Sequence, residues 1–278
     1  KNKDVVEIQI PLPPIADQKQ IVGILDEAFR GIAAARVNAE QNLRSAGEAF
    51  ASERECLFAR GGAGWVEKPL SAICEIRHGF AFKSEHFSDS GEFVLLTPGN
   101  FFESGGYRDR GEKQKYYVGE IPDSFILSEG DLLVAMTEQA AGLLGSPMLV
   151  PASGRFLHNQ RLGLVQKRAG VHFANEFFYH VFNLQRVRVE IHDSGTGVKV
   201  RHTSPTKIGK VVVSFPNGSI EDQRSVAAKL NRMSQETKHL ESLFRQKLAA
   251  LEALKKSILH QAFTGQLSQS SERQSSPI

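Results

Sequence analysis

The sequence predicts an α+β protein, with a globular domain built on a mixed sheet and two long helices that form an antiparallel coiled-coil stalk. Over two long stretches apolar residues return every three or four positions, which is the spacing of an amphipathic helix. Between them, short apolar runs alternate with turn residues, which is typical of strands. No apolar run reaches the roughly 18 residues that a bilayer-spanning helix needs, so we expect no membrane association.

An internal repeat brackets the globular part. Residues 8–25 read IQIPLPPIADQKQIVGIL, and residues 213–230 read VSFPNGSIEDQRSVAAKL. Each copy is a short apolar strand, a proline break and the start of a long helix. Proline ends a strand but fits the first turn of a helix, so both copies predict the same local structure.

The two helices are predicted over residues 15–60 and from Ser219 to about Phe263. Three glycines within residues 61–64 end the first, and Gly265 is a candidate C-terminal cap for the second. The first helix is roughly 65 Å long at 1.5 Å per residue. A domain of about 145 residues is much narrower than that, which favours a stalk over helices packed on the globular core. The residues expected to pack in the stalk are Leu25, Ile32, Leu43, Phe50, Leu57, Leu230, Met233, Leu240, Phe244, Leu251, Leu254 and Ile258.

The middle of the chain contains five strand-like runs separated by turns, and one helical pattern over residues 175–189. We expect its many phenylalanines to form the core rather than a platform for stacked bases. Cys56 and Cys74 lie in different predicted elements, so reduced thiols and a cytoplasmic location are expected. The chain begins with Lys1, and we interpret it as a fragment or as a chain whose start is not shown.

Recognisable catalytic chemistry is not found in the sequence. It has no Gly-x-x-x-x-Gly-Lys-Ser/Thr phosphate loop, no His-Glu-x-x-His pair and no Asn/Asp-Pro-Pro-Tyr. The nine histidines show no metal-ligand spacing. We therefore predict a chain that is not an enzyme and that has no cofactor and no metal.

Side chains suited to reading DNA occur in several predicted loops. A net charge of +3 fits a nucleic-acid partner only if the cations share one face. Amide and guanidinium forks can pair with base edges, whereas lysine and arginine hold phosphates. Solvated loops are the alternative for each residue taken singly. The candidate DNA contacts are Lys83, Arg108, Arg110, Lys113, Lys115, Thr137, Gln139, Asn159, Gln160, Arg161, Lys199, Arg201 and His202.

The repeat and four short motifs together resemble the specificity subunits of type I restriction–modification systems. The strand, prolines, acid-plus-glutamine pair and long helix match that family's conserved regions, although Asp17-Gln18 and Asp222-Gln223 stand where the family has Glu-Gln. The motifs occur in the family's order and are GFAFKS (79–84), GDLLV (130–134), LHNQR (157–161) and GTG (195–197).

The resemblance implies a target recognition domain that reads one half of a bipartite DNA site. It also implies that the stalk sets the spacing between half-sites and docks methyltransferase subunits, with a restriction subunit joining through the complex in phage defence. The second target recognition domain would lie in a full-length chain or come from dimerisation. The implied divisions are 1–14, the end of a preceding conserved region; 15–60, the first conserved helix; 61–210, the target recognition domain; 211–267, the strand, break and second conserved helix; and 268–278, a disordered tail.

Two other classes of function stay open at the level of sequence. One is an assembly or scaffold protein, in which a helical hairpin carries a protein-binding globular domain. The other is a nuclease or methyltransferase in its own right, which would show metal or methyl-donor dependence as an isolated chain. Binding to DNA that weakens steeply with increasing salt would distinguish the DNA-recognition function from the scaffold.

Overall fold

A computed structural model describes residues 12–139 and 141–269. The strand predicted at the start of the first repeat copy and most of the predicted tail lie outside the described residues. The helices are α1 (Ile15–Arg60), α2 (Leu70–Ile73), α3 (Asn175–Phe182), α4 (Gln185–Asp193), α5 (Pro205–Gly209), α6 (Ile220–Phe263) and α7 (Gln266–Gln269). The strands are β1 (Trp65–Pro69), β2 (Cys74–His78), β3 (Phe87–Ser88), β4 (Phe93–Leu95), β5 (Tyr116–Tyr117), β6 (Leu132–Ala135), β7 (Thr137–Glu138), β8 (Pro147–Leu149), β9 (Phe156–Leu157), β10 (Leu162–Lys167), β11 (Arg201–His202) and β12 (Val212–Pro216).

The chain divides into two compact units. Residues 1–51 and 234–278 form the first unit, and residues 52–233 form the second. Helix α1 begins in the first unit and ends in the second, and α6 begins in the second unit and ends in the first. The division follows the packing of the chain and not the ends of its helices. The boundaries predicted from the sequence, such as 61–210 for the target recognition domain, describe functional regions and not compact units. They stay a prediction.

In the first unit, α1 and α6 run antiparallel. The Lys255 ammonium lies 5.6 Å from the centre of the Phe29 ring. Farther along α1, a Cβ built on Gly47 would lie 3.5 Å from a carboxylate oxygen of Glu241. Residue numbers therefore rise along one helix as they fall along the other. Both helices line a groove of about 590 Å³, with side chains that include Ile32 and Leu251.

The inward face of α6 differs from the predicted one at two positions. Leu240 and Leu254 are 45% and 47% exposed, whereas Glu241 and Leu248 are half-buried. The other ten predicted packing residues are half-buried or buried. Glu241, Phe244, Leu248 and Leu251 still follow a spacing of three and four residues, and apolar size alone favoured leucine over glutamate. Glu241 keeps its charge paired with Arg245 at 3.1 Å. That the helices interlock as a coiled coil stays a prediction.

The described residues of the second unit form four small sheets. Their strand orders are β1-β12, β2-β10-β6-β8, β11-β7 and β3-β5-β4-β9. All the strand pairs are antiparallel except β4 with β9, which is parallel. The sheet that contains them is therefore mixed, as the sequence predicts.

Aromatic side chains fill the core of the second unit. Phe177, Phe178 and Phe182 of α3 are fully buried, as is Phe215 of β12. The rings of Phe173 and Phe178 stack with their centres 3.8 Å apart. Burying one such side chain removes about 150–250 Å² from water, which accounts for the phenylalanine-rich sequence of this segment. These rings are core, as predicted, and are not available for stacking on bases.

The two copies of the repeat use their shared glutamine differently. Gln223 is fully buried; its amide oxygen accepts a hydrogen bond from Ala174 N, and its amide nitrogen donates to His172 O and Pro216 O. These bonds tie the start of α6 to β12 and to the segment before α3. Gln18 is half-buried and donates to Pro13 O at 2.8 Å. Gln223 thus makes its hydrogen bonds to other segments of the second unit, whereas the bond of Gln18 stays within its own copy of the repeat.

We expect Gln223→Ala to lower the free energy of unfolding by about 3 kcal/mol. The change strands one buried N–H and two buried carbonyls, and each unsatisfied group costs about 1–3 kcal/mol. The matched variant Gln18→Ala removes one partly exposed hydrogen bond and should cost less than about 1 kcal/mol. Urea unfolding of the two variants checks this. Equal losses would show that the buried network contributes nothing particular.

Candidate nucleic-acid interface

The sheet β2-β10-β6-β8 gathers three of the candidate loops at one end. His78 lies opposite Gly163, and Ala135 lies opposite Leu162. The carboxyl ends of β2 and β6 therefore meet the amino end of β10. Because of this register, the segments 79–83, 136–139 and 159–161 leave the sheet together.

The second four-stranded sheet brings the basic segment 108–115 close to segment 159–161. Strands β4 and β9 are parallel, with Leu95 opposite Leu157, and β5 runs against β4. Lys115 O accepts a hydrogen bond from Leu95 N at 2.9 Å, and Leu157 O accepts one from Leu96 N at 3.3 Å. The segments 108–115 and 158–161 therefore flank the carboxyl end of β4.

Backbone hydrogen bonds join these segments to the hairpin that follows α4. Gln160 N donates to Phe80 O at 3.0 Å, and Met136 N donates to Arg161 O at 3.1 Å. Met136 O in turn accepts from Thr203 N at 3.0 Å. We call the connected segments 79–83, 108–115, 136–139, 158–161 and 195–203 the loop face. They are distant in sequence, and only strand pairing brings them together.

Most of the predicted DNA contacts reach solvent from the loop face. Arg110 and Arg201 are half-buried, and Thr137 and Asn159 are buried. Lys115 lies 3.6 Å from a carboxylate oxygen of Asp89, an exposed pair of little energetic weight. The exposed candidates are Lys83, Arg108, Lys113, Lys115, Gln139, Gln160, Arg161, Lys199 and His202.

Asn159 and Thr137 serve the fold. The Asn159 side-chain oxygen accepts a hydrogen bond from Arg161 N at 3.1 Å, which fixes the turn that presents Gln160 and Arg161. Thr137 lies in β7, opposite His202 of β11. Both side chains are buried in the free chain, and the predicted amide and hydroxyl contacts with DNA at these positions stay a prediction.

Arg201 also has an internal role. Its guanidinium donates to Glu138 Oε1 at 3.3 Å and to His192 O at 2.7 Å, and it contacts the His192 ring nitrogen Nε2. The Glu138 side chain is 1% exposed and also accepts from the backbone N–H groups of Leu143 and Leu144. Arg201 thus fastens β11 to β7, whereas Lys199 in the same hairpin is exposed.

The anchor around Glu138 was not recognised from the sequence. The segment from Ser194 to Lys210 contains no acid, so a cation buried there had to find a carboxylate elsewhere in the chain. That absence was a usable signal for an internal ion pair. Within the residues that the structure describes, no group of three histidine, cysteine or acidic side chains is arranged to hold a metal.

One histidine under the loop face is held neutral. His158 is buried, its Nε2 donates to Leu162 O at 3.0 Å, and burial lowers its pKa to about 4. A neutral imidazole adds no positive charge to the face. The cations available to phosphates are therefore the exposed lysines and arginines of the loops.

Comparison with known proteins agrees with the motifs. No protein-family model matches the chain. Over 205 residues, or 73% of the chain, it is 24% identical to the type I restriction enzyme EcoBI specificity subunit of Escherichia coli. Over most of its length, the chain is thus similar to a type I specificity subunit. The alignment covers 39% of the Escherichia coli specificity subunit.

Solved structures show the same fold. A chain solved to explain complex assembly and conformational transition of the type I restriction–modification system matches with a TM-score of 0.74 at 18% identity, over 95% of this chain and 63% of that one. The HsdS subunit of Thermoanaerobacter tengcongensis matches with a TM-score of 0.58 at 18% identity, over 95% and 62%. The predicted α+β class with two long helices is confirmed. The chain spans less than two thirds of the length of the Escherichia coli specificity subunit and of each of these two solved chains. None of its described helices is long and apolar enough to cross a membrane.

Proposed function

We propose that the chain recognises a specific sequence in double-stranded DNA, as one target recognition domain of a type I restriction–modification complex. The observation that supports this best is the loop face. Five segments meet there, each with at least one exposed amide or cationic side chain, and backbone hydrogen bonds hold them together. Base edges are read by forked amide and guanidinium groups presented on a rigid frame, and the loop face has that composition.

A duplex titration in increasing salt tests the proposal. The purified chain should bind duplex DNA at about 50 mM salt and weaken steeply by about 200 mM, because each phosphate contact releases condensed counterions. Four to six such contacts give a slope of about −4 to −5 in a plot of log K against log salt. Absence of binding at low salt would favour the scaffold alternative, in which the globular domain binds protein.

Arg161 and Lys199 separate base reading from phosphate holding. We expect Arg161→Ala to cost about 1–3 kcal/mol of binding free energy and to relax the preference at one base pair. Lys199→Ala should weaken all sequences about equally and flatten the salt slope by about one unit. The exposed Lys167, at the opposite end of β10, supplies the matched control, and Lys167→Ala should change neither quantity. An Arg161→Ala variant that stays folded and keeps full base preference contradicts the assignment.

In this proposal the chain recognises DNA and other subunits act on it. Methyltransferase subunits supply methyl transfer, and a restriction subunit joins through the complex, in the cytoplasm and in defence against phage. The purified chain should therefore leave DNA unmethylated and uncut when given methyl donor and Mg²⁺. Turnover that disappears on mutating one of its own residues would contradict this part of the proposal.

The repeat supports a second recognition domain beside the first copy. In the second copy, the side chain of Gln223 is fully hydrogen-bonded within the second unit. In the first copy, Ile15 and Val22 are 72% and 54% exposed. A second domain seated there would bury that face, as the second copy buries its own. The helices α1 and α6 then set the spacing of the two half-sites and offer a docking surface for methyltransferase subunits. Sedimentation of the chain with and without methyltransferase subunits tests the docking, and an unchanged sedimentation coefficient contradicts it.

A further inference from the structure

The hairpin of the loop face ends in an apolar side chain. Thr196 and His202 exchange two backbone hydrogen bonds, of 2.9 and 2.8 Å, and the chain reverses between them. Val198 lies at this turn with its side chain fully exposed, at 101%. Lys199 beside it is also exposed.

The backbone holds this tip without help from Val198. Gly197 has φ +113°, and a Cβ built on it would lie 2.1 Å from Val200 O, so the turn is specific to glycine. Below the turn, Arg201 is fastened to the buried Glu138, and the Lys207 ammonium donates to Ser194 O at 2.7 Å. The conformation is therefore fixed at the base of the hairpin, and the side chain of Val198 at the tip can contact a bound partner.

A single exposed valine is ordinary on a protein surface. This one stands on a rigid tip of the loop face, in a stretch from Ser194 to Lys210 that has cations and no acid. Thr203 at the base of the hairpin donates to Met136 O, and Met136 N donates to Arg161 O. The tip thus extends from the same surface that presents the forked guanidinium group.

We propose that Val198 contacts the 5-methyl group of a thymine in the major groove of the bound DNA. This rests on the proposed recognition of DNA. The major groove admits a two-stranded ribbon, and the thymine methyl is the apolar feature of the base edges displayed there. A branched aliphatic side chain buries that methyl, while the neighbouring Lys199 reaches the phosphates. Val198 is on this account a specificity residue, and its contact selects thymine at one position.

Selection followed by base substitution tests this contact. The full 278-residue chain first enriches a preferred sequence from a pool of random duplexes, and each thymine of that sequence is then replaced by uracil, which lacks the methyl group. For the wild-type chain, replacement at one position should weaken binding about fourfold, the equivalent of one buried methyl group. Val198→Ala should weaken binding to the thymine duplex by about the same factor and should be indifferent to uracil at that position.

Val118→Ala is the matched control. Val118 is 64% exposed and lies outside the loop face, after the carboxyl end of β5, so its variant should match the wild type on both duplexes. An unchanged melting temperature shows that both variants fold. If Val198→Ala lowers the affinity for the thymine duplex and for the uracil duplex by the same factor, or lowers neither, the thymine contact is overturned. A wild-type chain that enriches no sequence overturns the proposed function as well, which is a distinguishable result.

Discussion

Replacing Glu138 with alanine should lower the free energy of unfolding by about 3–5 kcal/mol, the range for losing one partner of a buried ion pair. Its carboxylate accepts hydrogen bonds from Leu143 N at 2.8 Å, from Leu144 N at 3.0 Å and from the guanidinium of Arg201. Without it, two backbone N–H groups and a half-buried cation lose their acceptor. Urea unfolding of the wild-type and variant chains measures the difference.

Two further variants show which part of this cost is electrostatic. Glu138→Gln keeps an oxygen for the two N–H groups but loses the charge, so its cost should fall between that of Glu138→Ala and zero. Glu92→Ala removes an exposed carboxylate of the same unit and should change the free energy of unfolding by less than about 0.5 kcal/mol. If Glu138→Ala unfolds at the wild-type urea concentration, the anchor does not stabilise the hairpin.

Acid should destabilise the chain before its carboxylates are protonated. Burial lowers the pKa values of His158 and His180 to about 4, against an ordinary 6.5. Below pH 6.5 these two histidines bind protons in the unfolded chain but stay neutral in the folded chain, so the free energy of unfolding falls as the pH falls toward 4. The two histidines together should lower the free energy of unfolding by roughly 4 kcal/mol between pH 7 and pH 5.

The environment of His180 makes the second contribution specific. Its Nε2 lies 2.8 Å from the side-chain oxygen of Asn231, and its buried Nδ1 has no hydrogen-bond partner within the part of the chain that the structure describes. A proton added at Nδ1 would therefore be buried without an acceptor. The double variant His158→Gln, His180→Gln should lose much less stability between pH 7 and pH 5 than the wild type. Urea unfolding at the two pH values checks this, and parallel losses in both proteins would assign the effect to other groups.

Local signals in the sequence were sufficient for the long helices. The break at Pro13 and Pro14 precedes α1, the glycines after Arg60 follow it, and Gly265 has the left-handed φ of +75° expected of a cap. These signals act through the dihedral preferences of a few neighbouring residues, so they do not depend on the rest of the fold. The motifs framed by the repeat also indicated the type I specificity subunits, to which the chain is similar, because the order of the motifs is a property of the sequence alone.

Tertiary structure decided the inward face of α6. The spacing of three and four residues allows two neighbouring registers, and only the partner helix selects one. The structure buries part of Glu241 and exposes Leu240, against the preference that apolar size gave. A helix on its own cannot distinguish these registers, because the energy that separates them lies in contacts with another element.

The division of labour among the polar loops was also beyond the sequence. Asn159 and Gln160 are neighbours of similar chemistry, yet the first is buried in a turn and the second is exposed. Arg201 and Lys199 are two residues apart, yet Arg201 is paired with Glu138, 63 positions away. The sequence by itself determined which residue types were available and where the helices begin and end. Strand pairing between distant segments determined which of those residues face solvent, because burial and ion pairing depend on neighbours that only the folded chain supplies.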